Sequence, residues 1–172
     1  MPELIKGILT GGSPRSLGRT EEVVRLVLDD QSRFGELFKT VFDDDEIIRL
    51  RAGDAIEKVA RERPEWLTEY KKALLEEVAA IRQPSVQWHL AQIFGEIELT
   101  AAEQRRATEV LLGNMEQSGD WIVICYTLDT LEKFARTDEH LRKGLLKLSR
   151  KYAADPRKTV AKRASKLLAR LA

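Results

Sequence analysis

The sequence predicts an all-α solenoid of about four stacked helix pairs behind an N-terminal helix. Three observations predict it. A nine-residue pattern at Arg51–Val59 returns at His89–Ile97, 38 residues on, then at Tyr126–Phe134 and Arg163–Leu171, each a further 37 on. A period of this size marks stacked repeats, each too small to bury its own apolar face. Apolar residues recur at helical spacing, and no segment alternates as a strand would. Prolines, glycines and short polar residues stand where helices should start and stop.

Taken in order, residues 1–19 read as a loop-like arm, because Gly7, Gly11, Gly12, Pro14 and Gly18 break any long element. Residues 20–172 read as a single repeat domain. Thr20 is placed to cap a helix carrying Val23, Val24, Leu26 and Val27. A helix near 31–42 follows, with Phe34, Leu37, Phe38, Val41 and Phe42 at helical spacing. The acids Asp43–Glu46 read as a helix N-terminus, where carboxylates meet free N–H groups and the positive dipole end. They lack the glycine-containing spacing of a calcium loop.

The first signature helix spans about 45–62, with Ile48, Ala52, Ala55, Ile56 and Val59 as its core stripe. Pro64 stops it and opens a helix over 65–81, and Pro84 opens the second signature helix over 84–98. Thr100 caps the next helix. Gly119-Asp120 ends that one and caps the third signature helix, 120–136. Asp138 caps another, and Asp155-Pro156 is read as the cap of the last. Equivalent positions form columns: Ile48, Val86, Val123 and Val160; Val59, Ile97, Phe134 and Leu171; and Ala52, Leu90, Thr127 and Ala164, where helices approach.

Asp155-Pro156 followed by Val160 and Ala164, with leucines beyond, resembles the second helix of a HEAT repeat. Arg49 keeps the arginine that this pattern often carries, while Gln87, Ile124 and Ala161 depart from it. The strings Arg51–Pro64 and Val86–Gln92 are similar to small bacterial HEAT-repeat proteins. The resemblance covers about residues 16–171. It implies a right-handed α-α superhelix whose signature helices line the concave side. It implies no one activity, because such families range from scaffolds to enzymes.

Composition narrows the classes. At 43% hydrophobic and 33% charged, the chain suits a soluble, surface-charged helical protein rather than a disordered one. Cys125 is the only cysteine, so no internal disulfide forms and a reducing, cytoplasmic setting is expected. The start, with Glu3 near its front and a short apolar run, is not read as a signal peptide. No run approaches the roughly 20 apolar residues of a membrane span. Gly12–Thr20 superficially resembles a phosphate loop, but its glycines are one residue too far apart and Arg19 replaces the lysine. His89 and His140 are the only histidines, too few for the repeated His–Glu pairs of di-iron HEAT enzymes. No cofactor or metal is expected.

At 100° per residue, the face of each signature helix opposite the core carries positions 50, 54, 57 and 61. Down the stack, position 50 reads Leu50, Trp88, Cys125 and Lys162; position 54 reads Asp54, Gln92, Asp129 and Lys166; position 57 reads Glu57, Gly95, Glu132 and Ala169. The expected groove is an apolar strip, Leu50–Trp88–Cys125, rimmed by Asp54, Glu57, Gln92, Asp129 and Glu132. An exposed aromatic there would anchor a partner; tucked against the next repeat, it would be packing.

Residues 141–172 hold eleven Lys and Arg against one acid, Asp155. Arg157, Lys158, Lys162, Arg163, Lys166 and Arg170 form the candidate anion patch. Three readings stand: a solubilising terminal cap, a nucleic-acid contact, or a weak head-to-tail contact with another copy's acidic front. The leading expectation is a non-enzymatic scaffold, monomeric or weakly self-associating, that binds a protein or peptide on its concave face. The alternative is nucleic-acid binding. That extends to activity like the HEAT-like DNA glycosylases that remove alkylated bases, for which Trp88, Gln92, Asp54, Asp129 and Trp121 supply the residue types.

Overall fold

A computed structural model describes residues 3–172, so the first two residues of the arm lie outside the described residues. Among the described residues it contains ten α-helices and no strand. The sequence points to one repeat domain behind an arm. The structure gathers into two compact units, Met1–Glu98 and Leu99–Ala172, and builds the arm into the first.

The first unit holds α1 (Ile5–Leu9), α2 (Thr20–Asp29), α3 (Phe34–Lys39), α4 (Glu46–Glu62), α5 (Lys71–Glu76) and α6 (Pro84–Glu96). Helix α1 lies where a loop is expected. Ile5, Ile8 and Leu9 are buried within it, which gives five residues the packing that isolated propensity cannot supply. Thr20 is not a cap. It is the first residue of α2, fully buried, and its hydroxyl donates to the Leu17 carbonyl. The segments expected as continuous helices over 31–42 and 65–81 are broken by 3-10 turns at Gln31–Arg33, Thr40–Phe42, Pro64–Tyr70 and Val78–Ala80. Pro64 removes a donor, and the Thr40 and Thr68 hydroxyls donate to the carbonyls of Leu37 and Glu65, three residues back, tightening the local turn.

Helix α4 is the axis of this unit. It packs against α2, α6 and the α3 segment, so residues 51–57 are all buried. Asp45 caps it by accepting from the Ile47 N–H at 2.8 Å. Asp43 accepts from the Asp45 N–H and pairs with Lys6 at 2.6 Å.

The second unit holds α7 (Ala101–Ser118), α8 (Trp121–Ala135), α9 (Glu139–Ala153) and α10 (Lys158–Leu171). Thr100 and Glu103 form a reciprocal capping box on α7. Gly119, at φ 61°, ends that helix in the left-handed conformation that a side chain would strain. Asp120 and Asp138 cap α8 and α9 as expected. Asp155 does not cap α10. Its carboxylate closes a turn onto the N–H and guanidinium of Arg157, which is itself the residue before the helix. Helix α9 lies along α10, and α8 packs against both. Every residue of the three aligned columns is buried, so within each unit the columns are the core.

Candidate functional site

The expected surface must be found among what the core leaves exposed. In the first unit, Leu50 on α4 and Trp88 and Gln92 on α6 stay partly exposed, whereas Asp54 is 9% and Glu57 only 3% exposed. These two acids depart from the expected rim. A helical wheel assigns a free face opposite a single apolar stripe, but α4 has a helix on either side as well as its own partner.

The buried acids are joined to neighbours. Lys58 Nζ lies 2.9 Å from Asp54 Oδ2 and also pairs with Glu21 of α2. His89 Nε2 of α6 lies 3.7 Å from Asp54 Oδ1, too long for a hydrogen bond and attractive only while the imidazole is protonated. Burial pushes the Asp54 carboxyl up, but His89 and the Lys58 ammonium together outweigh it and hold the group below the ordinary carboxylate range. Glu57 accepts two hydrogen bonds from Arg61, at 2.6 and 2.8 Å. Trp88 lies against its neighbour in sequence: its indole N–H donates to His89 Nε2 at 3.3 Å.

The same device recurs in the second unit. Cys125 is 2% exposed, so it lines no groove; it is a packed thiol that burial pushes above its ordinary value. Arg163 pairs with Asp129, and Arg170 makes a two-pronged bridge to Glu132 at 2.6 and 2.8 Å. Desolvation raises the Asp129 carboxyl, and the Arg163 charge opposes that rise. His89 meets Asp54 and Arg163 meets Asp129 at corresponding positions: in each case the first residue of one signature meets the fourth of the signature before. Asp54, Asp129 and Glu132, expected to edge a groove, are therefore rungs between successive signature helices, while Glu57 is tied to Arg61 within α4 itself.

The ladder also halves the expected anion patch. Arg163 and Arg170 are engaged by these acids, and Arg157 by Asp155 and the Gly119 carbonyl. Lys158, Lys162 and Lys166 remain exposed on one face of α10, with no ion pair among the described residues. Lys143, Lys147 and Arg150 are likewise exposed on α9. Trp121 is 46% exposed on the first turn of α8, and His140 is exposed. Among the described residues, no three His, Cys, Asp or Glu side chains gather to hold a metal ion. Among the described residues, no helix is long and apolar enough to cross a membrane.

Arg51 is the polar residue that sequence reasoning missed. Its side chain is fully buried, and the guanidinium donates to the carbonyls of Leu9, Gly11, Ser13 and Ser16 at 2.6 to 3.1 Å. All five of its N–H donors are engaged. The signal was present: Arg51 opens the first signature, at the position from which His89 and Arg163 reach back.

Compared with known families, residues 13–107 match the model of a HEAT repeat domain. No curated protein and no solved structure matches the chain.

Proposed function

The chain belongs to the HEAT-repeat family, and from that premise we propose that it is a binding protein that holds a protein or peptide segment against the α4–α6 face of its first unit. One observation carries this reading. Trp88 keeps part of its ring exposed on α6, with Leu50 partly exposed at the equivalent position of the adjoining α4. A partly exposed tryptophan beside an aliphatic residue is the composition of an interface anchor. Because Asp54 and Glu57 are already ion-paired, the face suits an apolar or amphipathic partner better than a basic one. The ion-paired states of Asp54 and Asp129 favour binding over glycosylase-like chemistry, since a carboxylate held by Lys58 or Arg163 is a poor candidate for activating water against the sugar carbon that bears the base. Affinity purification with Trp88→Ala, its fold checked by circular dichroism, tests the proposal. Loss of partners that the unaltered protein retains supports it, and an unchanged partner set refutes it.

A second reading rests on the free lysines of α10. Three ammonium groups at four-residue spacing, with a basic α9 beside them, suit a polyanion bound without base readout. A gel shift across salt concentrations separates the two. Retardation that falls steeply with salt, and is lost when Lys158, Lys162 and Lys166 become Glu, favours nucleic acid; no retardation at low salt disposes of it.

A further inference from the structure

The first unit contains a hollow of about 440 Å³ that uses none of the residues discussed so far as a site. Gln31 and Ser32 of the 3-10 turn Gln31–Arg33, with Phe34 and Gly35 of α3, form one side of it. Trp66, Glu69 and Tyr70, from the 3-10 segment Pro64–Tyr70 and its last turn, form the other. Neither signature helix contributes.

Three aromatic rings, set at angles to one another, line it beside the polar Gln31, Ser32 and Glu69. Phe34 is 3% exposed and forms the floor. The Tyr70 ring meets it nearly perpendicular, at 5.0 Å and 81°, and the Trp66 ring at 6.4 Å and 64°. Trp66 and Tyr70 stay partly exposed at the rim. Gly35 permits the closure, since a β-carbon there would stand 3.3 Å from the Tyr70 hydroxyl. A helical glycine is disfavoured by propensity, so its presence is explained by this approach.

Charge selects the occupant. Aromatic faces are the negative pole of the ring quadrupole and attract cations. Trp66 already displays this, with the Arg63 guanidinium carbon 5.7 Å from its centroid. Glu69, between the two rim aromatics in sequence, is exposed and makes no ion pair among the described residues. A bare metal ion or primary ammonium keeps its water shell more tightly than three rings can replace it. A methylated ammonium presents methyl groups to the rings and carries a spread, weakly hydrated charge.

We propose that this hollow binds a methylated ammonium group, with Phe34, Trp66 and Tyr70 around the methyls and the Glu69 carboxylate balancing the charge. The site is independent of the α4–α6 face, so either can fail without the other.

The test uses the full chain with Trp88→Phe and Trp121→Phe, which leaves Trp66 as the only indole reporter. Tetramethylammonium chloride is titrated against its fluorescence, with tert-butyl alcohol as the neutral isostere and sodium chloride as the ionic control. The expected result is a saturable change, with the cation bound roughly tenfold more tightly than the alcohol. Glu69→Gln, an exposed change that leaves the packing intact, weakens it several-fold. Parallel titrations with choline and with a trimethyllysine peptide separate a small-molecule source from a side chain of a protein, and saturation by either supports the site. A linear response to the cation, equal binding of the alcohol, or indifference to Glu69→Gln overturns the proposal.

Discussion

Gly53 of α4 and His89 of α6 meet so closely that a β-carbon on the glycine would stand 3.0 Å from His89 Nδ1 and 3.2 Å from His89 Cβ. The imidazole cannot swing clear, since its own Cβ is part of the contact and Trp88 and Asp54 flank its Nε2. Gly53→Ala therefore forces the two signature helices apart. The expected loss is about 1–2 kcal/mol in urea unfolding, despite the gain in helix propensity. Gly113→Ala in α7 and Gly144→Ala in α9 are the controls: nothing lies within 4 Å of either added carbon. Each should stabilise by about 0.5–1 kcal/mol.

Arg51 holds the arm by its carbonyls, so Arg51→Ala leaves several of them without a partner in a buried site. The expected loss is about 3 kcal/mol, with protease cleavage appearing within residues 10–18. Gly18→Ala should produce a milder form of the same defect. Its φ is +57°, and the added carbon would stand 3.0 Å from the Arg51 guanidinium carbon. Gly119→Ala has the same backbone conformation but open space around it, and should cost only about 1 kcal/mol.

Asp54 links stability to acid. Its carboxyl titrates below the unfolded value of 3.8. The ionised group therefore stabilises the protein above about pH 4, and that contribution disappears as pH falls further. Asp54→Asn should lower stability at neutral pH by about 1–2 kcal/mol and flatten the acid limb of the stability curve. An unchanged acid limb, measured by denaturant midpoints from pH 7 to about 2.5, would remove Asp54 from the ladder.

Asp129 carries the opposite sign. Its raised carboxyl makes the ionised form a cost in the folded state, relieved as pH falls through the folded value. Removing the opposing charge with Arg163→Ala should raise that carboxyl further. The variant should lose about 1 kcal/mol or less at neutral pH, since both side chains are a third exposed and screened by solvent, and should regain part of it on mild acidification.

The columns were legible because they repeat: Ile48, Val86, Val123 and Val160 occupy one position, and all four are buried. Helix ends were legible wherever a side chain does the capping, as at Thr100, Asp120 and Asp138. Helix α1 was hidden because five residues carry too little periodicity, and its burial comes from packing against α2, α3 and α4, which local sequence does not show. The fate of the rim acids was hidden because a single-helix wheel contains no neighbouring helix. A cross-repeat comparison would have exposed it: Asp54 with His89, Asp129 with Arg163 and Glu132 with Arg170 are complementary residues about one repeat apart. The helical period did place Leu50 and Trp88 opposite the core stripe, and both stay partly exposed; it placed Cys125 there too, and that residue is buried by neighbours the period does not register.

The central claim divides the signature helices into a structural ladder and a working face, and Leu50→Glu tests that division most directly. The measurement is quantitative affinity purification with the variant and the unaltered protein, alongside Asp54→Asn. The division predicts that Leu50→Glu stays as stable as the parent, within about 0.5 kcal/mol, and loses its partners, while Asp54→Asn is destabilised and keeps them. Full partner retention by a folded Leu50→Glu would contradict it.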